Sequence, residues 1–229
     1  MQKIIYSGNY AEIEQYTVSS NMRRKHRGEK ENISREAQIQ LNNKNSKKKL
    51  TRLINTNFTK QDLFLTLTYK EDITELLAKK ELAKFIRKVN TYRKKLGLTL
   101  LKYISVTETG EKGHRVKRVH HHLVCSGMSI DELEKLWGNG RTQSSRLEPD
   151  ENGFEGLANY LLKEDKGKHV KKWNQSKNLI KPRVVKKLLK RLNIYNQPKP
   201  LKGYKVVNVE VKDNIYFGFY RYIQLSKLE

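Results

Sequence analysis

The chain has 229 residues, of which only 36% are hydrophobic, so part of it is expected to run over the surface rather than pack in a core. Lys and Arg total 48 against 24 Asp and Glu, a formal net charge of +24 that opposes compaction unless an anionic partner absorbs it, and nucleic acid is the partner that fits best. No apolar run approaches the ~18 residues of a spanning helix and no apolar signal segment follows Met1, which argues against a membrane partner. The single cysteine, Cys125, excludes an internal disulfide and fits a reducing cytoplasm.

In chain order, Lys3 to Tyr6 and Ala11 to Val18 read as short strands around the turn Ser7-Gly8-Asn9. The basic run Arg23-Arg24-Lys25-His26-Arg27 has no apolar periodicity; it reads equally as a solvated loop or as an arm contacting phosphates. A helix is expected from an N-cap at Ser34 to Lys49, gaining Leu50, Leu53 and Ile54 at its end. Leu63 to Tyr69 is the clearest strand of the first half, with Leu63, Leu65, Leu67 and Tyr69 on one face and Phe64, Thr66 and Thr68 on the other. The next helix is predicted from Thr74 to Leu96, with apolar positions at Leu76, Leu77, Leu82, Phe85, Ile86 and Val89, and with Gly97 to stop it. Its outer face carries Lys79, Lys80, Lys84, Arg87 and Lys88, by default a solvated face.

Leu100 to Thr107 is a further strand, ending at Glu108, and residues 109–114 read as a turn into Val119–Cys125. Strand alternation puts Val119, His121, Leu123 and Cys125 on one face and His120, His122 and Val124 on the other. A short helix is then expected from the cap Ser129 to Leu136, and an edge strand from Arg141 to Leu147. Another helix is predicted from Gly153 to Glu164, whose arc of Phe154, Leu157, Ala158, Leu161 and Leu162 leaves Tyr160 and Lys163 outside the apolar stripe. Beyond Asp165 the basic and aromatic residues Lys168, Lys171, Lys172, Trp173 and Lys177 suit contact with a nucleic acid strand. A helix from Pro182 to Leu192 and a hairpin pairing Tyr204–Val211 with Ile215–Tyr222 across Lys212-Asp213-Asn214 complete the chain.

Two imidazoles one residue apart project side by side from a strand and can chelate one metal ion. A lone His-x-His pair is a weak signal, because such pairs also occur on exposed strands without a ligand. The hairpin adds the carboxylate of Glu108 to His120 and His122, a set that leaves a divalent ion with open positions. Cys125 points away, so a harder ion such as Mg²⁺ or Mn²⁺ is the better fit than structural zinc. Were the substrate a phosphodiester, the metal would neutralise the scissile phosphate while Tyr160 attacked it, and Lys163 would stabilise the charge on the phenolate.

The order of these motifs resembles that of the HUH endonucleases, in particular the replication-associated initiators of small single-stranded DNA phages and rolling-circle plasmids, related to filamentous-phage gene II proteins. The resemblance is carried by Phe64-Leu65-Thr66-Leu67-Thr68-Tyr69, by His120-His121-His122 with Glu108 upstream, and by Tyr160-Leu161-Leu162-Lys163. Ile54-Asn55-Thr56-Asn57-Phe58 and the stretch from Trp173 to Pro182 extend it over most of the chain. It implies an α+β fold with a central antiparallel sheet and flanking helices. Within one continuous domain, residues 1–60 would pack on the core, 61–165 would form the nickase core, and 166–229 would contact DNA.

The implied activity is metal-dependent nicking and joining of one DNA strand at a hairpin origin through a 5′-phosphotyrosine, in the cytoplasm of a bacterial host. The pattern departs from the family's in two places. The middle residue of the histidine motif is His121 rather than a bulky apolar one, and Glu164 stands where some members carry a second tyrosine. The second departure implies the single-tyrosine class, with the second cleavage left to a partner subunit or to water activated by a carboxylate such as Glu164. No Gly-x4-Gly-Lys-Ser/Thr motif is present, so host helicase and polymerase are the expected partners. A transposase or relaxase of the same chemistry is the nearest alternative. A non-catalytic, sheet-based nucleic-acid-binding module is the alternative from another class.

Overall fold

The computed structural model describes residues 1–18, 35–112, 115–163, 171–189, 196–214 and 218–228. In chain order its elements are β1 (Gln2–Ser7), β2 (Tyr10–Tyr16), α1 (Arg35–Asn57), β3 (Leu63–Leu67), α2 (Glu75–Lys95), β4 (Tyr103–Lys112), β5 (Arg115–Cys125), α3 (Ile130–Trp137), β6 (Thr142–Arg146), α4 (Glu155–Leu161), β7 (Asn174–Gln175), β8 (Arg183–Lys187), β9 (Tyr204–Asn214) and β10 (Gly218–Lys227). The fold is α+β, with two five-stranded antiparallel sheets and, among the described residues, four helices. The chain divides into two compact units, Met1–Thr56 with Asp150–Asn159 and Lys181–Glu229, and Asn57–Pro149 with Tyr160–Ile180.

The second unit is built on the sheet β6-β3-β5-β4-β7. β3 alternates as its sequence predicts: Leu63, Leu65 and Leu67 are fully buried and pair in register with Cys125, Leu123 and His121. α2 covers that face with Ala78, Leu82, Phe85 and Val89, which recur every third or fourth residue and so share one helical stripe. Burying a side chain the size of Phe85 contributes roughly 1.5–3 kcal/mol. The Thr74 hydroxyl accepts from the Leu77 amide at the start of the helix, and Gly97, at a φ of 69°, follows its end. Leu76 and Leu77, predicted on the apolar stripe, are exposed instead, because the stripe runs through Ala78 and continues to the buried Arg93. Arg93 is satisfied there by the Thr99 and Gly127 carbonyls. α3 adds Leu133 and Trp137, whose indole donates to the Thr68 carbonyl at 2.9 Å. Ser129 precedes α3 as expected, but its hydroxyl makes no capping bond. β6 is the edge strand that the sequence predicts.

The first unit is the sheet β8-β1-β2-β10-β9 with α1. Leu50, Leu53 and Ile54 of α1 are buried, and Arg52 reaches Glu12 and Glu14 on β2 with hydrogen bonds of 2.5–3.1 Å. On the sheet's other face Ala11, Ile13, Ile223 and Leu225 form a small core. The approach to α4 is set by Gly153, which has a φ of 76° and sits where a Cβ would lie 2.6 Å from Asn55 Oδ1. Asp150 and Gly153 exchange backbone hydrogen bonds of 2.9 Å, and the Phe154 amide donates to Asn55 Oδ1, so this turn admits no side chain.

Four expectations are corrected. The segment predicted as a helix from Pro182 to Leu192 forms the strand β8 over Arg183–Lys187, because Val184 and Val185 take up the free edge of β1 opposite Ile5 and Ile4. The helix carrying Tyr160 ends at Leu161 rather than Glu164, and Lys163 lies in the turn beyond it, its amide bonded to the Tyr160 carbonyl at 3.3 Å. The hairpin turn predicted at residues 109–114 is ladder instead: β4 runs on through a bulge between Glu108 and Gly110 and pairs with β5 as far as Lys112 and Arg115. Finally, Lys212-Asp213-Asn214 is not a turn, since these residues pair with Tyr220, Phe219 and Gly218. Ser34, predicted as a cap, lies outside the described residues.

Candidate active site

β4 and β5 bring the first residues together by register alone. Glu108 is the direct cross-strand partner of His120, and Val106 is that of His122, so Glu108, His120 and His122 rise from the same face of the sheet. Glu108 Oε2 is 3.2 Å from His120 Nε2, and Glu108 Oε1 is 3.3 Å from His122 Nε2. The donor atoms of the three residues lie within 4.8 Å of one another. Glu108 and His122 are buried, at 1% and 2% exposure.

The outer ring nitrogens are oriented from behind. His120 Nδ1 is 2.9 Å from the Arg118 carbonyl, which can only accept, so the proton is on Nδ1 and the Nε2 lone pair is bare. His122 Nδ1 meets the Thr66 hydroxyl at 3.1 Å across β3. Phe64, also on β3, stacks on the His122 ring at 5.5 Å between centroids and 17° between planes. His122 Nε2 is buried with no hydrogen-bond partner among the described residues. A buried imidazole nitrogen left in that condition costs about 1–3 kcal/mol, which a cation bound at the nitrogen would remove. Two imidazoles and a carboxylate, with their free lone pairs converging, fit a divalent ion.

The tyrosine and lysine of the later motif reach the same place. Tyr160 is 43% exposed, and its ring lies 5.2 Å from that of His122 and 6.0 Å from that of Phe64. Lys163 Nζ stands 3.2 Å from Glu108 Oε1 and 4.0 Å from the centre of the Tyr160 ring. One ammonium thus touches the carboxylate of the cluster and the face of the phenol. The arrangement offers a metal-binding set, an accessible phenolic oxygen and a cation beside it.

His121 points to the opposite face and is fully buried. Its Nε2 lies 2.8 Å from the Tyr69 hydroxyl and its Nδ1 3.0 Å from Thr107 Oγ1. The Tyr69 hydroxyl donates to the Ala78 carbonyl, which fits His121 Nε2–H donating to the phenol. Burial pushes the Tyr69 phenol up, so it remains a neutral hydrogen-bonding group. Cys125 shares that face and its thiol is pushed up to about 12 by burial, the mark of a packing residue rather than a ligand.

Of the nucleic-acid candidates, Arg23, Arg24, Lys25 and Lys168 lie outside the described residues, as does Glu164. Lys171, Lys172 and Trp173 lead into β7, which pairs with β4, the strand of Glu108, and Lys177 follows as an exposed residue. Trp173 Nε1 donates to Gln175 Oε1 at 2.9 Å. Thr66 and Phe64 are the site residues that sequence reasoning passed over. Alternation puts both on the outer face of β3, but only the register of β3 on β5 aligns that face with His122.

No helix among the described residues is long and apolar enough to cross a membrane. No curated protein and no solved structure matches the chain. Residues 62–165, a little under half of the sequence, match the model of a family described as replication-associated protein of the ORF2 and gene II protein type, and the matched span contains Phe64, Thr66, Glu108, His120, His122, Tyr160 and Lys163.

Proposed function

We propose that this chain is a rolling-circle replication initiator that nicks and rejoins one DNA strand at an origin through a covalent link to Tyr160. The observation that carries the reading is the convergence of Tyr160 and Lys163 on the Glu108–His120–His122 cluster. That this cluster falls within the segment matching a replication-associated family supports replication as the setting.

Glu108, His120 and His122 would hold one divalent cation, Mg²⁺ or Mn²⁺, which when bound supplies positive charge against the scissile phosphate. Tyr160 presents its phenolic oxygen to phosphorus. As the new P–O bond forms, the bond to the 3′ oxygen breaks and the phenolic proton passes to solvent. The 5′ phosphate stays on Tyr160, and the departing 3′ oxygen takes up a proton to become a hydroxyl that a host polymerase can extend. Lys163, against the Tyr160 ring, stabilises the phenolate as it develops. Rejoining is the reverse, with a 3′ hydroxyl attacking the phosphotyrosine. Trp173 and the cations Lys171, Lys172 and Lys177 would hold the single strand, and host helicase would open the duplex.

Incubation of the protein with single-stranded origin DNA and Mn²⁺ tests this reading. The wild-type chain is expected to form a protein–DNA adduct that survives denaturing electrophoresis, and Tyr160→Phe to form none while still binding the DNA. Identical products from the two proteins would remove Tyr160 from the mechanism.

A further inference from the structure

α2 packs its apolar stripe against the face of the sheet opposite to Glu108, His120 and His122. Its other side, together with α3, forms an open groove of about 560 Å³. Lys84, Arg87, Lys88 and Lys95 line it, with Tyr92 between them and Leu136 contributed by α3. No carboxylate lines the groove. Glu81, outside the lining, pairs with Lys84 at 2.6 Å and accepts from Asn139 at 3.5 Å. Elsewhere on the surface the same helices neutralise their lysines locally, as in Lys79 with Glu75 and Lys135 with Glu132. One carboxylate at the rim does not balance four cations in one concavity. The surplus charges repel one another, and a bound polyanion relieves that repulsion.

We propose that this groove is a second DNA-binding site that takes the phosphate backbone of duplex DNA, separate from the strand held at Tyr160. The proposal rests on the reading that the chain acts on DNA. From Lys84 to Lys95 a helix rises about 16 Å, the axial length of on the order of five phosphates along one strand of a duplex. A rigid row of cations on a helix suits the even spacing of a duplex. Single strands are instead held on exposed aromatic platforms, and here the one aromatic ring, Tyr92, is half-buried. Phe64 and Tyr160 stand together on the opposite face of the sheet. The two faces would thus engage different segments, duplex on the helical side and the strand to be cut on the site side.

The test compares the full chain with the quadruple variant Lys84→Gln, Arg87→Gln, Lys88→Gln, Lys95→Gln. Probes are a duplex of about 30 bp and a single strand of the same length, titrated across a range of salt. The variant is expected to bind the duplex roughly 10–100-fold more weakly, with the slope of log K against log salt reduced by about 2–4. Its Mn²⁺ affinity and its adduct formation on a short single-stranded origin oligonucleotide should match those of wild type. Equal duplex affinity and slope in the two proteins would overturn the proposal, as would a loss confined to the single strand. A groove-dependent duplex affinity in a wild-type protein that forms no adduct would reject the nickase reading and leave this site standing.

Discussion

Lys163 Nζ lies 3.2 Å from Glu108 Oε1 although the two residues are 55 positions apart and only one of them belongs to a regular element. The ammonium spans the carboxylate and the Tyr160 ring, 4.0 Å from the ring centre, so a single side chain ties the metal-binding set to the nucleophile. Lys163→Met keeps the length of the side chain and removes its charge. The expected result is a fall in the rate of adduct formation of roughly 10²–10³-fold, with Mn²⁺ binding retained. Single-turnover kinetics alongside a calorimetric metal titration would measure both, and an unchanged rate would exclude Lys163 from charge stabilisation.

Thr66 touches the cluster only through His122 Nδ1, at 3.1 Å. Thr66→Val preserves shape and strand propensity but leaves the imidazole with nothing to fix its orientation. A weakening of Mn²⁺ affinity by about 10–100-fold is expected, without loss of folding stability on the same scale. Equal affinity would show that Phe64 stacking alone holds the ring.

His121 belongs to the other side of the sheet, between Tyr69 and Thr107. His121→Ala opens a cavity in the main core and takes a partner from two buried hydroxyls, so about 2–4 kcal/mol of stability should be lost in urea unfolding. Protein that remains folded should still bind Mn²⁺. A stable variant with lost metal binding would reverse the assignment of faces on β5.

Glu14 predicts an acid-dependent stability. Burial pushes its carboxyl up, but hydrogen bonds from Lys3 at 2.9 Å and Arg52 at 2.7 Å outweigh that and hold it below its ordinary value of 4.5. The unfolded chain therefore takes up the proton first as pH falls. The stabilisation is fully present above the unfolded value and is lost as pH drops through the folded one. Thermal melts across that range should show a shallower acid limb for Glu14→Gln than for wild type, and parallel limbs would contradict the assignment.

Much of the site was legible because its rules are local. A strand turns alternate residues to opposite faces whatever it pairs with, which suffices to separate His120 and His122 from His121 and Cys125. A complete apolar arc at Phe154, Leu157, Ala158 and Leu161 likewise predicts that Tyr160 faces outward, and it is exposed. Local rules failed where two readings were equally consistent with the same residues. Val184, Val185 and Leu188 have spacing that serves a helix or a strand, and the free edge of β1 settled it by supplying hydrogen-bond partners. Leu76 and Leu77 are apolar and helical, yet the stripe that packs begins one residue later at Ala78.

By itself, then, the sequence determined which residue types face together within each element, since backbone geometry repeats every two residues in a strand and every 3.6 in a helix. Only the tertiary structure decided what those faces meet. The register that sets Glu108 opposite His120, the pairing that carries Thr66 to His122, and the turn after α4 that swings Lys163 to the carboxylate join residues from 12 to 56 positions apart. Such contacts are chosen by the packing of whole faces and the satisfaction of backbone hydrogen bonds between strands, which no short window of residues contains.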